Sequence, residues 1–456
     1  MAIRTIDDTS LSNIASAIRA KLKSEDTFRP DQMASAIESI SGMYPDWEQI
    51  GYEETPKSIV IGYEYALEIA ENWNPAITNR QLAFQSDYNL VYFPVVDMSN
   101  ATTVDRMFLG CYGLQFVPDN LDFSSVAAYA SGLFKQCYGL KTIKIGPFGS
   151  NNSNIYANEF AYNCHSLKSV ELDCSHIINL NAAFANCYSL TDLILTNTDD
   201  VHEIRNIFAG CNHLSGVEGV LELTFNGCYD FWEAFSGVGK DTDGFDLILN
   251  ASAASGMGHL CYGGDTKVKS VTINNGSSNL GALDGAFLDN HVLESVYIEK
   301  TSSVENFAST FAGCNNLTNI SELNMTSATF AEGCFRGCSS LVSIDIVSTG
   351  NRIYNMREMF SGCTSLEDVP LLDASYAESL ADQRLRSMFY NCPNLTTQSL
   401  ENILQMCINA GARHSDPQYD TLAHLGFNST NYPASRIQAL DNYADFIAAG
   451  WSIGYS

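Results

Sequence analysis

One short pattern recurs through most of this chain in a single register, and it constrains the fold more than any other feature. It is an aromatic residue, a cysteine three residues on and a leucine three further. It is read at Phe108/Cys111/Leu114, Phe134/Cys137/Leu140, Phe184/Cys187/Leu190, Phe208/Cys211/Leu214, Phe311/Cys314/Leu317, Phe335/Cys338/Leu341, Phe360/Cys363/Leu366 and Phe389/Cys392/Leu395. Weaker copies stand at Phe84/Asp87/Leu90, Ala161/Cys164/Leu167, Phe235/Val238, Tyr262/Asp265/Val268 and Phe287/Asn290/Leu293. That makes about thirteen copies, roughly 23 to 29 residues apart, a period that marks a solenoid.

Many copies continue past the leucine as an apolar, polar, apolar triplet: Ile143-Lys-Ile145, Val170-Glu-Leu172, Val296-Tyr-Ile298, Ile344-Asp-Ile346. Alternation of this kind is the period of a short strand with one buried face. So short a strand cannot bury that face alone and must stack on the same strand of the next copy. Phenylalanine, cysteine and leucine then fill a continuous interior. The residue before the leucine (Gly113, Gly139, Ser166, Ser189, Ser340, Ser365) is small or turn-forming, as a corner requires. The expected fold is a repeat solenoid of short parallel β-strands with helices at its ends.

An apolar content of 45% with 17% charged residues belongs to a folded chain. No run approaches eighteen apolar residues, so no membrane insertion is expected. The formal charge is −28; residues 1–42 hold five Lys/Arg and six Asp/Glu, which leaves −27 on the rest. A surface so acidic argues against nucleic acid as a partner, since phosphates need a cationic stripe. Nine of the fourteen cysteines share one repeat position, where a small buried apolar residue is expected, and no CxxC pair occurs. All fourteen are read as reduced.

Thr9 or Ser10 can cap a helix with Leu11, Ile14, Ala15, Ile18 and Leu22 on one face, and Pro30 starts a second with Met33, Ile37 and Ile40. Residues 1–42 thus form a helical hairpin that buries too little to stand alone. Residues 43–79 supply a connector and a helix from Thr55-Pro56 with Ile59, Tyr63, Ala66, Ile69, Ala70 and Trp73 on its apolar side, placed to cover the open edge of the first coil. The solenoid occupies 80–395. Residues 396–456 cap the other end, with one helix from Thr396-Thr397 carrying Leu400, Ile403, Leu404 and Cys407, and another from about Ser435 carrying Ile437, Leu440, Ala444 and Ile447 up to Gly450.

The FxxCxxLxxVxI repeat, with Met or Ala before many of its aromatics (Met107, Ala183, Ala286, Met359, Met388), resembles the BspA-type leucine-rich repeat. The resemblance implies a curved right-handed solenoid used for adhesion or recognition. Residues 9–21 and 28–37 resemble a short N-terminal module of bacteriophage tail and fibre proteins. The closing Ala-Gly-Trp451-Ser-Ile is similar to the final cap on phage-borne members of the repeat family. The N-terminal resemblance implies attachment through residues 1–42 to the virion or to an adjacent fibre subunit. Since the hairpin buries too little alone, it is expected to dock on a neighbour or assemble with its own copies, as a homo-oligomer on the virion.

Candidates for chemistry are few. The eight histidines (165, 176, 202, 213, 259, 291, 414 and 424) show no ligand spacing, and no nucleophile elbow or phosphate loop is present. Asp241-Thr-Asp243-Gly244-Phe-Asp246 is similar to part of a calcium loop but lacks the first ligand and the bidentate Glu, so it reads as a solvated insertion. The residue after the motif cysteine is Tyr112, Tyr138, His165 and Tyr188 in early coils, and Asn212, Asn315, Ser339 and Thr364 later. Two readings fit: an aromatic ladder facing a sugar ligand, or rings that cover the corner of the next coil.

The expectation is therefore a non-enzymatic protein without cofactor or metal. It is read as a bacteriophage structural protein, a tail fibre or receptor-binding adhesin that meets a bacterial surface glycan or protein through the solenoid. A head-fibre or capsid-decorating protein and a bacterial BspA-like surface adhesin are the alternatives. The opening Met1-Ala-Ile-Arg lacks the order of a secretory signal, so the expected location is the virion, with synthesis in the host cytoplasm.

Overall fold

A computed structural model describes residues 56–119, 121–150, 153–276, 279–348, 353–375, 384–411 and 420–455. The N-terminal hairpin expected over 1–42 and the connector over 43–54 lie outside the described residues. The chain divides into two compact units, Met1–Asp200 and Val201–Ser456.

The first unit carries α1 (Pro56–Glu71) and then β1 (Thr142–Ile145), β2 (Ile155–Tyr156), β3 (Ser169–Asp173), β4 (Ile177–Asn179) and β5 (Asp192–Thr196). Strands β1, β3 and β5 form one parallel sheet in which Ile143 faces Val170 and Val170 faces Leu193; β2 and β4 form another. The second unit carries β6 (Val220–Thr224), β7 (Phe245–Asn250), β8 (Val268–Asn274), β9 (Ser295–Ile298), β10 (Asn319–Ile320), β11 (Leu323–Asn324) and β12 (Ile346–Val347). Its main sheet runs β6 to β10 in chain order, again parallel, aligning Leu221, Leu247, Val271, Val296 and Ile320. Sequential parallel pairing of this kind is a β-solenoid, with about eight turns bearing a strand after the leucine, three in the first unit and five in the second. The earliest copies make only the isolated bridges Asn79 to Thr103 and Tyr92 to Phe116. Pro94 and Pro118 stand two residues after Tyr92 and Phe116 and offer no N–H to extend that ladder.

The motif residues fill the interior. Phe108, Cys111, Leu114, Phe134, Cys137, Leu140, Phe184, Cys187, Leu190, Phe311, Cys314, Leu317, Phe335, Cys338, Leu341, Phe360, Cys363 and Leu366 are all shut off from water. In the second unit the rings of Phe287, Phe311, Phe335, Phe360 and Phe389 stack in line, 5.3 to 5.6 Å apart and within 10° of parallel. In the first unit Phe84, Phe108 and Phe134 stack the same way. At the next copy the slot holds Ala161, and its neighbour Phe160 turns a perpendicular ring into the gap, 5.4 Å from Phe134. The thiols add a second regularity. Cys111 donates to the carbonyl of Phe84, Cys137 to Phe108, Cys164 to Phe134, Cys314 to Phe287, Cys338 to Phe311 and Cys363 to Phe335, at 2.9 to 3.1 Å.

Opposite the strands lies a backbone feature that the motif alone does not announce. Two residues before each aromatic and two after it, the backbone is left-handed: Arg106 and Gly110, Gly132 and Gln136, Glu159 and Asn163, Gly333 and Gly337. Amides then alternate in purpose. Those of Leu82, Phe84 and Ser86 donate to the next coil (Asp105, Met107, Leu109), while Ala83, Gln85 and Asp87 donate three residues back. The segment thus pairs coil to coil without being a strand.

Two expectations need correction. The copy placed at Tyr262 is registered one residue earlier: Phe235 N–H donates to Leu260 and Cys261 N–H to Ala286, so Cys261 fills the aromatic slot and Tyr262 faces outward. The thiol can be buried without stranding a phenol hydroxyl, and Gly263-Gly264 absorb the extra residue before Val268. The final helix is also interrupted, as α3 (Ala434–Gln438) and α4 (Tyr443–Ala448), which follow α2 (Thr397–Ala410). The side-chain amide of Asn442 between them donates to the Glu401 carbonyl at 2.8 Å, and Phe446 rather than the exposed Ile447 turns inward.

At the start of the solenoid, Ala66 of α1 packs with Tyr92 and Phe116, and Tyr65 donates to Asp87, which stands at the cysteine position of the first copy. In the second unit, α2 is capped by Thr396, whose hydroxyl accepts from Ser399 N–H.

Candidate functional site

The corner after each motif cysteine is where side chains are turned out of the solenoid. Gly139 N–H donates to the Tyr112 carbonyl and Ser166 N–H to the Tyr138 carbonyl, which draws each corner onto the one before. A Cβ on Gly139 would stand 3.1 Å from the Leu114 carbonyl oxygen, so this approach leaves little room for a side chain. Coils set at strand spacing then bring the outward rings into contact. Tyr112 and Tyr138 stack at 4.8 Å and 6°, Tyr138 and His165 at 4.7 Å and 8°, His165 and Tyr188 at 4.7 Å and 18°. The row begins one copy earlier, with Tyr88 on Tyr112 at 5.2 Å. Sequence reasoning missed Tyr88, although its place directly after Asp87, the cysteine equivalent of a weak copy, was the available signal.

Tyr88, Tyr112 and Tyr188 are exposed, from 61% at Tyr88 to 40% at Tyr188, while Tyr138 and His165 are half-buried between neighbours. Burial lowers the His165 pKa, because its charged form would lose hydration between two rings. Each inner ring turns its faces to the next ring, so the row shows water its edges and phenol hydroxyls rather than open stacking platforms. In the second unit the same corner carries a hydrogen-bond ladder instead. Ser339 Oγ donates to the Asn315 carbonyl, Thr364 Oγ1 to that of Ser339 and Asn394 Nδ2 to that of Thr364.

The remaining candidates are dispersed. His176 stands 3.9 Å from Asp200, His213 4.0 Å from Asp241, and His291 Nδ1 is 2.9 Å from the Gly313 carbonyl; His414 lies outside the described residues. Asp246 is taken up into β7, away from the turn that holds Asp241 and Asp243. Among the described residues no group of three His, Cys, Asp or Glu side chains could hold a metal ion, and no helix is long and apolar enough to cross a membrane. All fourteen cysteines are buried thiols outside any disulfide. Burial pushes the thiols of Cys111, Cys164, Cys174 and Cys392 up to about 12 and those of Cys137, Cys338 and Cys363 well above the ordinary range.

Fold and surface together define a leucine-rich-repeat solenoid whose ordered features lie along its faces. The model of the BspA type leucine rich repeat region matches residues 82–229, 252–367 and 284–410, about two-thirds of the chain. The protein belongs to that family. Among solved structures it is similar to a leucine-rich repeat protein from Bacteroides ovatus, with 19% identity over 73% of this chain and 80% of that one and a TM-score of 0.33. It is also similar to the pneumococcal vaccine antigen PcpA, with 17% identity over 67% and 71% and a TM-score of 0.33. A leucine-rich cell surface protein from Faecalibacterium prausnitzii is 15% identical over 53% and 82%, with a TM-score of 0.20. No curated protein matches the sequence significantly.

Proposed function

We propose that the protein is a non-enzymatic recognition protein of the adhesin type, which binds a glycan or protein on a bacterial surface through its solenoid. The observation that carries this reading is the row Tyr88, Tyr112, Tyr138, His165 and Tyr188. Five side chains are held at coil spacing before any partner arrives, so little side-chain entropy remains to be lost on binding. Contact repeated along such a row is multiplied when several copies are displayed together.

The finer parts of the reading rest on the sequence. They are thirteen coils over 80–395, helical caps over 43–79 and 396–456, and a helical N-terminal module over 1–42 that attaches the chain to a bacteriophage virion as a tail fibre. Cosedimentation of the full chain with bacterial cells tests recognition, and a chain that sediments with no cell sinks it. Immunogold labelling with an antibody against residues 80–395 tests placement. Label at the tail tip supports the tail fibre, label on the capsid replaces it with a head fibre, and label confined to a bacterial surface replaces both with a bacterial adhesin.

A further inference from the structure

One face of the second unit carries a cleft that the aromatic row does not explain. Parallel bridges run through Glu203, Asp230, Gly256, Ala282 and Asn306 in successive coils. Two residues further on, the same coils place Arg205, Trp232, Gly258 and Asp284. Large side chains on two coils are thus followed by glycine on the next, and a cavity of about 450 Å³ opens there. A Cβ on Gly256 would meet nothing within 4 Å. One built on Gly258 would fall 2.6 Å from the Trp232 indole and 3.2 Å from Asp284 Oδ1, so the indole packs over Gly258 with the carboxylate beside it, and the open space lies at Gly256.

The walls are fixed in advance. Arg205 holds Asp230 Oδ2 through Nε and Nη2 at 2.6 and 2.5 Å, and Asp230 Oδ1 accepts the Trp232 N–H at 3.1 Å. Tyr229 donates to Glu203 at 3.1 Å and stacks on His202. The indole leans on His259, ring centres 4.7 Å apart, yet stays 38% exposed. The Asp284 side chain is half-buried and has no hydrogen-bond or ion-pair partner among the described residues.

An exposed indole beside an unpartnered carboxylate suits a ligand with one C–H face and a rim of hydroxyl donors. We infer that the cleft is a subsite for one neutral pyranose of a surface glycan, stacked on Trp232 and hydrogen-bonded to Asp284. An acidic sugar is disfavoured by Asp284, since Arg205 is already taken up by Asp230 and offers it no free cation. The inference deepens the recognition reading and rests on it.

The test titrates the full chain with the methyl pyranosides of glucose, galactose and mannose and with N-acetylglucosamine, followed by saturation-transfer NMR and tryptophan fluorescence. At least one sugar is expected to saturate with a Kd on the order of 1 mM, corresponding to weak single-site binding. Trp232→Ala and Asp284→Asn should each weaken it at least tenfold with the thermal midpoint kept within a few degrees. Gly258→Val should abolish it. Absence of binding by all four sugars, equal binding by Trp232→Ala and Asp284→Asn, or displacement of the sugar by tetramethylammonium overturns the subsite. Wild-type protein that sediments with cells but binds no hexoside loses the subsite and keeps the recognition reading; the reverse result removes that reading and keeps the subsite.

Discussion

Cys338 Sγ lies 3.1 Å from the carbonyl oxygen of Phe311, one coil earlier, and the same oxygen accepts the Cys314 N–H from within its own coil. The thiol therefore serves two ends, filling a space one heavy atom larger than alanine and occupying a second lone pair on a buried carbonyl. Cys338→Ala should cost about 1–2 kcal/mol through the lost contacts and the weak hydrogen bond. Cys338→Val, which forces a branched side chain against the phenylalanine stack, should cost about 1–3 kcal/mol. Denaturant midpoints read both, and a midpoint equal to the parent's for either variant would count against this account.

Burial of the thiols makes the fold sensitive to alkali. The group with a raised pKa is Cys111, Cys164, Cys174 or Cys392, moved from the ordinary 9.0 to about 12 in the folded chain. Between those values the unfolded chain has released protons that the folded chain still holds, so stability is full below pH 9 and falls as pH rises toward 12. Thermal midpoints should drop steeply above pH 9. At pH 8, iodoacetamide should leave the native protein unlabelled and modify all fourteen cysteines after denaturation. Rapid native labelling would show that the thiols are not shut in.

The repeat register made the interior legible, since a cysteine recurring three residues after an aromatic had to point the same way each time. Legibility failed where the slot was filled by something else. Cys261 stands in an aromatic slot with an extra residue after it, so Tyr262 drew the register to itself. Ala161 depends on Phe160 for a ring that its own position lacks. The left-handed pairs were written only faintly, as the glycines before Cys111, Cys211, Cys314, Cys338 and Cys363, because Gln136, Asn163 and Asn186 adopt the same backbone without a glycine to mark it. The cleft beside Trp232 was out of reach altogether, because its lining comes from residues of several coils that are far apart in the sequence.

His165 is the one titrating ring among tyrosines. Its pKa is lowered by burial between Tyr138 and Tyr188, so the neutral ring is the form the fold favours. A group with a depressed folded pKa lends stability above its unfolded value, about 6.5, and loses it as pH falls through the folded value. His165→Tyr should continue the row and remove this dependence. Between pH 7 and pH 5 the thermal midpoint of the parent should fall further than that of the variant. Parallel declines would mean that His165 is solvated and plays no part in the acid response.

Gly337 isolates the cost of the left-handed backbone from any cost of space. Its φ is +77°, yet a Cβ placed there would find Gly313 Cα at 3.7 Å, ordinary contact distance. Its N–H donates to the Ser361 carbonyl on the next coil, so the backbone cannot relax without releasing that bond. Gly337→Ala should therefore lose about 1–2 kcal/mol, the price of a left-handed L-residue. Gln136 occupies the equivalent position one motif residue before Cys137, with φ +63°. There the change Gln136→Gly relieves the strain but loosens the unfolded chain, two effects of similar size, and stability should stay within about 0.5 kcal/mol of the parent. Denaturant unfolding of the two variants side by side reads the difference. A neutral Gly337→Ala would mean that this turn flips to a right-handed form at no cost, and the alternating pairing between coils would then need another explanation.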